Sequence, residues 1–121
     1  MKDRELKFRA WDHINNKMIF WTLKDLLLRF GEPEYQYNLV NSMECTGLED
    51  KNNNEIYEGD IILLDGKKYL VDWSYDNAGF CFRSKQPDHP DYDIIGGFHN
   101  CNEFEIIGNW YENQELLTKE E

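Results

Sequence analysis

Cysteine, proline and long apolar runs are all scarce in this chain of 121 residues. The three cysteines, Cys45, Cys81 and Cys101, are an odd number without close pairing, unlike the disulfide framework of a small secreted protein. The longest apolar runs, such as DIILL, fall far short of the roughly 20 residues that a membrane-spanning helix needs. Because no apolar segment precedes the charged start MKDRELKFR, we expect a reduced, cytoplasmic protein without a membrane span.

Basic residues are also scarce: 13 Lys or Arg stand against 24 Asp or Glu, for a formal net charge of −11. Contacts to phosphates need clustered cations, so we expect no general binding of DNA or RNA. The charge is uneven, because residues 1–30 carry seven bases against four acids, whereas residues 86–121 carry nine acids and one base. This asymmetry predicts either a solvated acidic tail or a head-to-tail contact, with a second copy or with a basic partner.

What the chain has in quantity is short stretches of alternating apolar and polar residues. LKFRAWD and MIFWTL flank the turn-forming DHINNK and predict an N-terminal β-hairpin. TLKDLLLRFG has apolar residues at helical spacing, which predicts one short helix with Thr22 as its N-cap and Gly31 at its end. LVNSMECTG predicts a further strand with its core at Leu39–Cys45.

The central block TGLEDKNNNEIYEGDIILLDGKKYLVDW begins with turn formers and then alternates. Gly59-Asp60 suits a bulge or a tight bend. Asp65-Gly66 stands between two apolar runs and is a pair favoured in a type I′ hairpin turn, because both positions need a positive φ. Strands at Ile61–Leu64 and Lys68–Trp73 are therefore predicted as antiparallel neighbours, and FCFR adds a third strand.

The remaining residues predict an exposed loop over residues 86–93, a strand at EFEIIGNWY, and a short helix or frayed tail over residues 114–121, capped by Asn113. No linker or repeat divides the chain, so we expect a single domain over residues 1–121. The predicted fold class is mainly β, a β-rich α+β domain with one or two short helices.

The residues offer few candidates for catalysis or metal binding. His99 and Cys101 would share one side of a strand, but a zinc site needs two more ligands from elsewhere. Glu58 and Asp60 would also share a face and could hold a divalent cation, although such acid pairs are common on solvated strands. We therefore predict no catalytic residue, no metal and no cofactor. A small metal-dependent enzyme that uses His99 and Cys101 remains an alternative.

Three blocks stand in order along nearly the whole chain: LKFRAWD at the start, CTGLEDKNNNEIYEGDII in the middle and EIIGNWYENQELL at the end. Together they resemble the YopX-like family of phage and prophage proteins. The resemblance implies a small cytoplasmic protein of the bacterial host cell, with a small antiparallel, partly SH3-like barrel. It implies no established biochemical activity and supplies no catalytic residue.

The leading hypothesis is a non-enzymatic module that binds a host or phage protein, or that self-associates. The residues expected to matter most, as a binding surface or as a structural signature, are Arg9, Trp11, Tyr57, Glu58 and Asp60.

In the structural alternative, Glu58 and Asp60 bond backbone donors at the bend, Gly59 holds a special dihedral angle and Tyr57 fills the core. An ion pair between Arg9 and one of these acids would attach the first strand to the central block. A rival function is an acidic decoy, in which the carboxylates of the tail mimic phosphates and occupy a host nucleic-acid-binding protein.

Overall fold

The computed structural model describes residues 6–29, 42–84, 93–94 and 103–118. Contacts divide the chain into two compact units, a first unit of Met1–Cys45 and a second unit of Thr46–Glu121. The elements defined among the described residues are β1 (Lys7–Asp12), β2 (Lys17–Thr22), α1 (Leu23–Arg29), β3 (Met43–Glu49), β4 (Glu55–Tyr57), β5 (Asp60–Leu64), β6 (Lys67–Ser74), β7 (Gly79–Ser84), β8 (Asp93–Ile94), β9 (Glu105–Asn109) and α2 (Glu115–Thr118).

This architecture is mainly β with two short helices in the described part of the chain, which confirms the predicted fold class. The partly SH3-like character of the barrel and the single domain over residues 1–121 stay predictions.

The first unit is built on the predicted hairpin. β1 and β2 pair antiparallel from Lys7 opposite Thr22 to Asp12 opposite Lys17. The start of β3 pairs antiparallel with the other edge of β1. One face of the hairpin carries a small core of Ala10, Ile19 and Trp21 with Phe8 packed against it.

The hairpin turn is organised by a single carboxylate. Asp12 Oδ1 accepts hydrogen bonds from Ile14 N at 2.9 Å and Asn15 N at 3.3 Å, and Asp12 Oδ2 accepts one from Asn15 Nδ2 at 2.8 Å. The Asn15 side chain, helped by the backbone donors, outweighs desolvation and lowers the pKa of Asp12. Asn16 takes the positive φ of 54° that an asparagine tolerates.

α1 begins directly after β2 in a reciprocal cap. Thr22 Oγ1 accepts a hydrogen bond from Asp25 N at 3.1 Å, and Asp25 Oδ2 accepts one from Thr22 N at 3.0 Å. This arrangement is a capping box with aspartate at the third position, and it confirms Thr22 as the N-cap. The predicted stop at Gly31 lies outside the described residues.

The second unit contains a five-stranded antiparallel sheet in the order β8-β7-β6-β5-β9, curled into a half-barrel. Its concave core is aromatic and aliphatic, with Tyr69 and Phe82 edge-to-face at 5.1 Å between ring centroids and Phe82 and Phe104 at 5.6 Å. The other buried members of this cluster are Ile56, Ile62 and Val71.

The opposite face of the same sheet is also covered. Ile61 pairs with Leu70, so the two side chains share this face. Ile61, Cys81 and Leu117 are all buried, and α2, which carries Leu117, contacts β6. Cys81, like Cys45 in the first unit, is buried and forms no disulfide.

The predicted meander is confirmed. β5 and β6 pair from Ile61 opposite Leu70 to Leu64 opposite Lys67, and β7 follows as the next antiparallel strand. The connecting residues Asp65 and Gly66 have φ values of 52° and 79°, as a type I′ turn requires.

Three local predictions differ from the structure. The strand predicted around Leu39–Cys45 is β3, which begins at Met43 and runs on to Glu49, and residues 39–41 lie outside the described part. β4 was missed, because three residues are too few to show an alternating pattern. The side chain of Asn113 does not cap the last helix, since its Oδ1 accepts a hydrogen bond from Asn109 N at 3.1 Å.

Candidate functional site

The four residues Tyr57–Asp60 form a tight turn between β4 and β5. Asp60 Oδ2 accepts a hydrogen bond from Tyr57 N at 2.8 Å, and both residues are buried. Gly59 has a φ of 86°, which a residue with a side chain adopts only under strain. Its nitrogen donates to Val71 O and its oxygen accepts from Trp110 N, each at 2.8 Å. The turn therefore joins β6 to the end of β9.

Asp50, seven residues before this turn, is a buried carboxylate that accepts three backbone hydrogen bonds. It is 1% exposed, and Oδ1 accepts hydrogen bonds from Asn52 N and Asn54 N, each at 2.9 Å. Oδ2 accepts one from Ile106 N at 3.0 Å. Burial alone would raise the pKa of Asp50, but the hydrogen bonds from Ile106, Asn54 and Asn52 prevail and lower it.

The loop around Asp50 covers an edge of the five-stranded sheet. β9 is the last strand in the sheet order, and an uncovered edge strand is open to pairing with another chain. Here Ile106 N bonds the Asp50 carboxylate, and Phe104 O accepts from Lys51 N at 2.8 Å. Lys51 Nζ also lies 3.3 Å from a carboxylate oxygen of Glu105. The polar loop is thus an edge cover, a role that the sequence analysis missed.

Thr46 and Gly47 join β3 to β4 inside the second unit. Thr46 Oγ1 donates to Ile56 O at 2.8 Å and accepts from Leu48 N at 3.1 Å. Gly47 has a φ of 86°. A buried hydroxyl that both donates and accepts satisfies two backbone groups at once.

The block GNWYEN closes the end of β9. Asn109 Oδ1 accepts from Tyr111 N at 3.0 Å and Glu112 N at 2.9 Å, while Asn113 Oδ1 accepts from Asn109 N. A Cβ on Gly108 would lie 2.6 Å from Asn113 Oδ1, so only glycine fits without moving that side chain. These residues hold one another in a compact turn.

Comparison with protein families identifies the chain. A model of the YopX protein family matches residues 24–118. The chain belongs to the YopX family. The match includes the Thr46–Gly47 pair, the Asp50 loop, the turn at Tyr57–Asp60 and the GNWYEN block.

A solved structure has a similar fold. The crystal structure of protein EF1440 from Enterococcus faecalis has a TM-score of 0.55 and 22% sequence identity, covering 93% of this chain and 97% of that chain. At this identity the likeness shows the fold alone. A comparison with curated protein sequences finds no match.

Of the five predicted residues, the structure brings Tyr57, Glu58 and Asp60 together in one turn, and places Arg9 and Trp11 on β1. Arg9 lies directly opposite Phe20 on the neighbouring strand β2. Arg9 is 6% exposed whereas Phe20 is 55% exposed, so Phe20 presents the contact area of this cross-strand pair.

Among the residues that the structure describes, the exposed apolar side chains of this YopX-family chain are concentrated in the first unit. Five of the seven large hydrophobic residues described as exposed lie there, and α1 has Leu23, Leu27 and Leu28, of which the last two are 74% exposed. α1 contacts β2, the strand of Phe20. We name this region the α1 surface, defined by Phe20, Leu23, Lys24, Leu27 and Leu28.

The other two exposed hydrophobic residues lie at one end of the five-stranded sheet, where β6 ends. Tyr75 is 90% exposed in the turn after β6, and Trp110 is 37% exposed after β9. Trp110 N donates to Gly59 O and Gly59 N donates to Val71 O, so two successive hydrogen bonds connect Trp110 to β6. We name this region the end surface, defined by Tyr75, Asp76, Trp110 and Glu112.

No cluster of three or more metal-ligating side chains occurs in the part of the chain that the structure describes. The predicted pair His99 and Cys101 lies outside that part. His13, in the hairpin turn, is exposed. Among residues 6–29, 42–84, 93–94 and 103–118, no helix combines the length and the apolar character needed to cross a membrane.

Proposed function

We propose that this chain is a non-enzymatic protein-binding or self-associating module, and that it binds through the α1 surface. Its partner is a host or phage protein, or a second copy of the chain, in the cytoplasm of the bacterial host cell. Arg9 and Trp11, on the face of the hairpin that carries Phe20, would support this surface rather than provide its exposed area.

The observation that supports this proposal is the exposure of Leu27 and Leu28. Both side chains are 74% exposed on a helix of seven residues, which begins directly after β2, the strand of Phe20. Burying apolar side chains is favourable by about 1.5–3 kcal/mol for each one fully removed from water. Contiguous exposed apolar surface on a small protein marks an interaction site.

The polar residues of the family blocks are poor candidates for the binding surface. Their side-chain oxygens already form hydrogen bonds with backbone groups of the second unit, as seen at Thr46, Asp50, Asp60 and Asn109. A carboxylate that is buried and bonded in this way contributes to the fold, so contact area has to come from elsewhere.

The test is affinity capture from host lysate by three versions of the chain: wild type, Leu27→Asp/Leu28→Asp and the control Ile14→Asp. Ile14 is 68% exposed and lies outside the α1 surface, so its variant makes the same kind of change, from apolar to acidic, at one position elsewhere. We expect wild type and the control to capture a protein, which could be the chain itself. The Leu27→Asp/Leu28→Asp variant should fail to capture it. If all three versions retain the same proteins, the α1 surface is not the binding site.

A second candidate function is the acidic decoy, which the charge distribution favours. The first unit has seven Lys or Arg and seven Asp or Glu, whereas the second has six against seventeen and so carries the whole net charge of −11. A decoy would capture basic nucleic-acid-binding proteins, and salt would abolish the capture. The Leu27→Asp/Leu28→Asp variant would keep such partners, which distinguishes this function from the first.

A further inference from the structure

We infer that the Asp50 loop, residues 50–54, is a strap over the outer edge of β9 that prevents this edge from pairing with β9 of a second copy of the chain. This role concerns the second unit and does not involve the α1 surface. β9 is then a covered association site, which becomes available when the loop loses its bonds to the strand.

β9 is the edge strand that most needs such a cover. Among the described residues, the five-stranded sheet ends in β8 on one side, with two residues, and in β9 on the other, with five. A short edge strand offers little to pair with, whereas a longer one presents a row of backbone N–H and C=O groups to another chain. Two identical edges can pair antiparallel about a twofold axis, so a second copy is a partner that fits.

The Asp50 loop occupies the backbone groups that such a pair would use. Phe104 O accepts a hydrogen bond from Lys51 N at 2.8 Å, and Ile106 N donates one to the Asp50 carboxylate at 3.0 Å. In a twofold antiparallel pair centred on Glu105, Ile106 N of each copy would donate to Phe104 O of the other. The loop therefore takes the place of a second β9 strand, bond for bond.

The far end of β9 is closed independently of the Asp50 loop. Asn109 N donates to Asn113 Oδ1 at 3.1 Å, and Asn109 O accepts from Asn113 N at 2.8 Å. The register with β5 shifts within the strand, which leaves Ile107 as an extra residue on β9. A bulge of this kind twists an edge away from a regular partner. The pairing that the loop prevents is therefore confined to residues 104–106.

The Asp50 loop has a turn structure of its own. Asp50 N donates to Asn54 O at 2.8 Å, and Asn53 N donates to Asp50 O at 3.0 Å. Asp50 Oδ1 accepts from Asn52 N and Asn54 N within the loop, whereas Oδ2 and Lys51 N reach β9. The attachment to β9 can therefore be removed while the turn is kept.

The test is sedimentation velocity of full-length Asp50→Asn over a range of concentrations. A carboxamide has one oxygen, and the two loop donors, Asn52 N and Asn54 N, favour that oxygen on their side, which leaves an NH2 group facing Ile106 N. Two Glu105 side chains would face each other in the β9 pair, so about 1 M salt is used to screen their repulsion. Asp50→Asn should associate at least about tenfold more strongly than wild type.

A second variant opens the edge at the other backbone group. Lys51 follows Asp50 in the turn that Asn53 N closes, a position where proline is favoured, but proline has no N–H for Phe104 O. Lys51→Pro should therefore also associate, whereas Lys51→Ala keeps the N–H and should behave as wild type. Asp60→Asn makes the same chemical change at another buried carboxylate, which bonds a backbone N–H away from the outer edge of β9, and should behave as wild type too.

Amide hydrogen exchange locates the contact. In Asp50→Asn the Ile106 N–H should exchange faster than in wild type at low concentration, and more slowly as dimers form. Adding Leu27→Asp/Leu28→Asp should leave this association unchanged, which separates it from the proposed function. The loop does not guard β9 if Asp50→Asn and Lys51→Pro associate no more than wild type, or if the leucine changes abolish the association. Equal association of Asp60→Asn would also overturn this role, because the cause would then be lost stability.

Discussion

The first and second units use their side chains in opposite ways. In the second unit the edge of β9 is covered by the Asp50 loop, and Ile61 and Ile62, on opposite faces of the sheet, are both fully buried. In the first unit α1 is well capped, but Leu27 and Leu28 remain mostly exposed. The second unit satisfies its own groups and carries the net charge, whereas the first is neutral in charge and exposes apolar side chains. The proposed function assigns stability to the second unit and binding to the first.

The largest effect that tests this comparison should come from Asp50→Ala. The change leaves three backbone N–H groups, including the distant one of Ile106, without their acceptor. Each buried donor left unsatisfied costs about 1–3 kcal/mol, so we expect a loss of at least about 3 kcal/mol in the free energy of unfolding. Chemical denaturation measures it, with the exposed Asp76→Ala as a control that changes stability by less than about 0.5 kcal/mol. Equal values for the two variants would show that the edge cover contributes nothing.

Low pH should remove the stabilisation that the Asp50 carboxylate provides. The pKa of Asp50 is lower in the folded protein than its usual value of 3.8. The bonded carboxylate therefore stabilises the fold fully above the unfolded pKa, and this stabilisation is lost as the pH falls through the folded pKa. Denaturation curves between about pH 6 and pH 2 should fall less steeply for Asp50→Asn than for wild type. Parallel curves would assign the acid sensitivity to other groups.

A smaller effect is expected at the end of β9. Gly108→Ala places a Cβ 2.6 Å from Asn113 Oδ1 and displaces the side chain that bonds Asn109 N. Overpacking of this kind costs about 1–3 kcal/mol. In the double variant Gly108→Ala/Asn113→Ala the two shortest approaches, to Oδ1 and Cγ of Asn113, are gone and only the 2.9 Å approach to its Cβ remains. The loss of stability in the double variant should therefore be smaller than the sum of the two single losses. Strict additivity in a double-mutant cycle would contradict this packing.

The smallest effect is expected in the first unit. Thr22→Ala removes the N-cap of α1, at a cost of about 1 kcal/mol for the helix. The α1 surface should then lose some of its binding strength, because its leucines no longer stand on a fixed helix. Backbone amide exchange of α1 and partner affinity can be measured on the same variant, with Thr118→Ala as the matched change elsewhere. Faster amide exchange in α1 with unchanged partner affinity would show that binding does not depend on a fixed α1 helix.

Much of the local structure could be predicted from the sequence because its causes are local. The hairpin, the type I′ turn at Asp65-Gly66 and the Thr22 cap each depend on residues within a few positions of one another. Asp50 was missed because one of its partners, Ile106, is 56 residues away. A local signal did exist, since an aspartate followed by asparagines at the second and fourth positions is typical of a side-chain-bonded turn.

The proposed binding surface was harder to predict than the fold. Leucines at helical spacing indicate a helix, but the pattern is the same whether its apolar face meets the core or a partner. The three sequence blocks that resemble the YopX family contain Tyr57, Glu58 and Asp60, whose turn supports the second unit. Leu27 and Leu28 belong to none of these blocks. Whether Arg9, Trp11 and the turn residues also contribute to binding stays a prediction.

The central claim is that the family turn stabilises and the α1 surface binds. The most direct measurement compares Asp60→Ala with Leu27→Asp/Leu28→Asp for thermal unfolding and for association, at a temperature where both are folded. We predict that Asp60→Ala lowers the unfolding temperature and keeps wild-type association, and that the leucine variant keeps the unfolding temperature and loses association. The reverse result, with binding lost at Asp60 and stability lost at the leucines, would contradict the account.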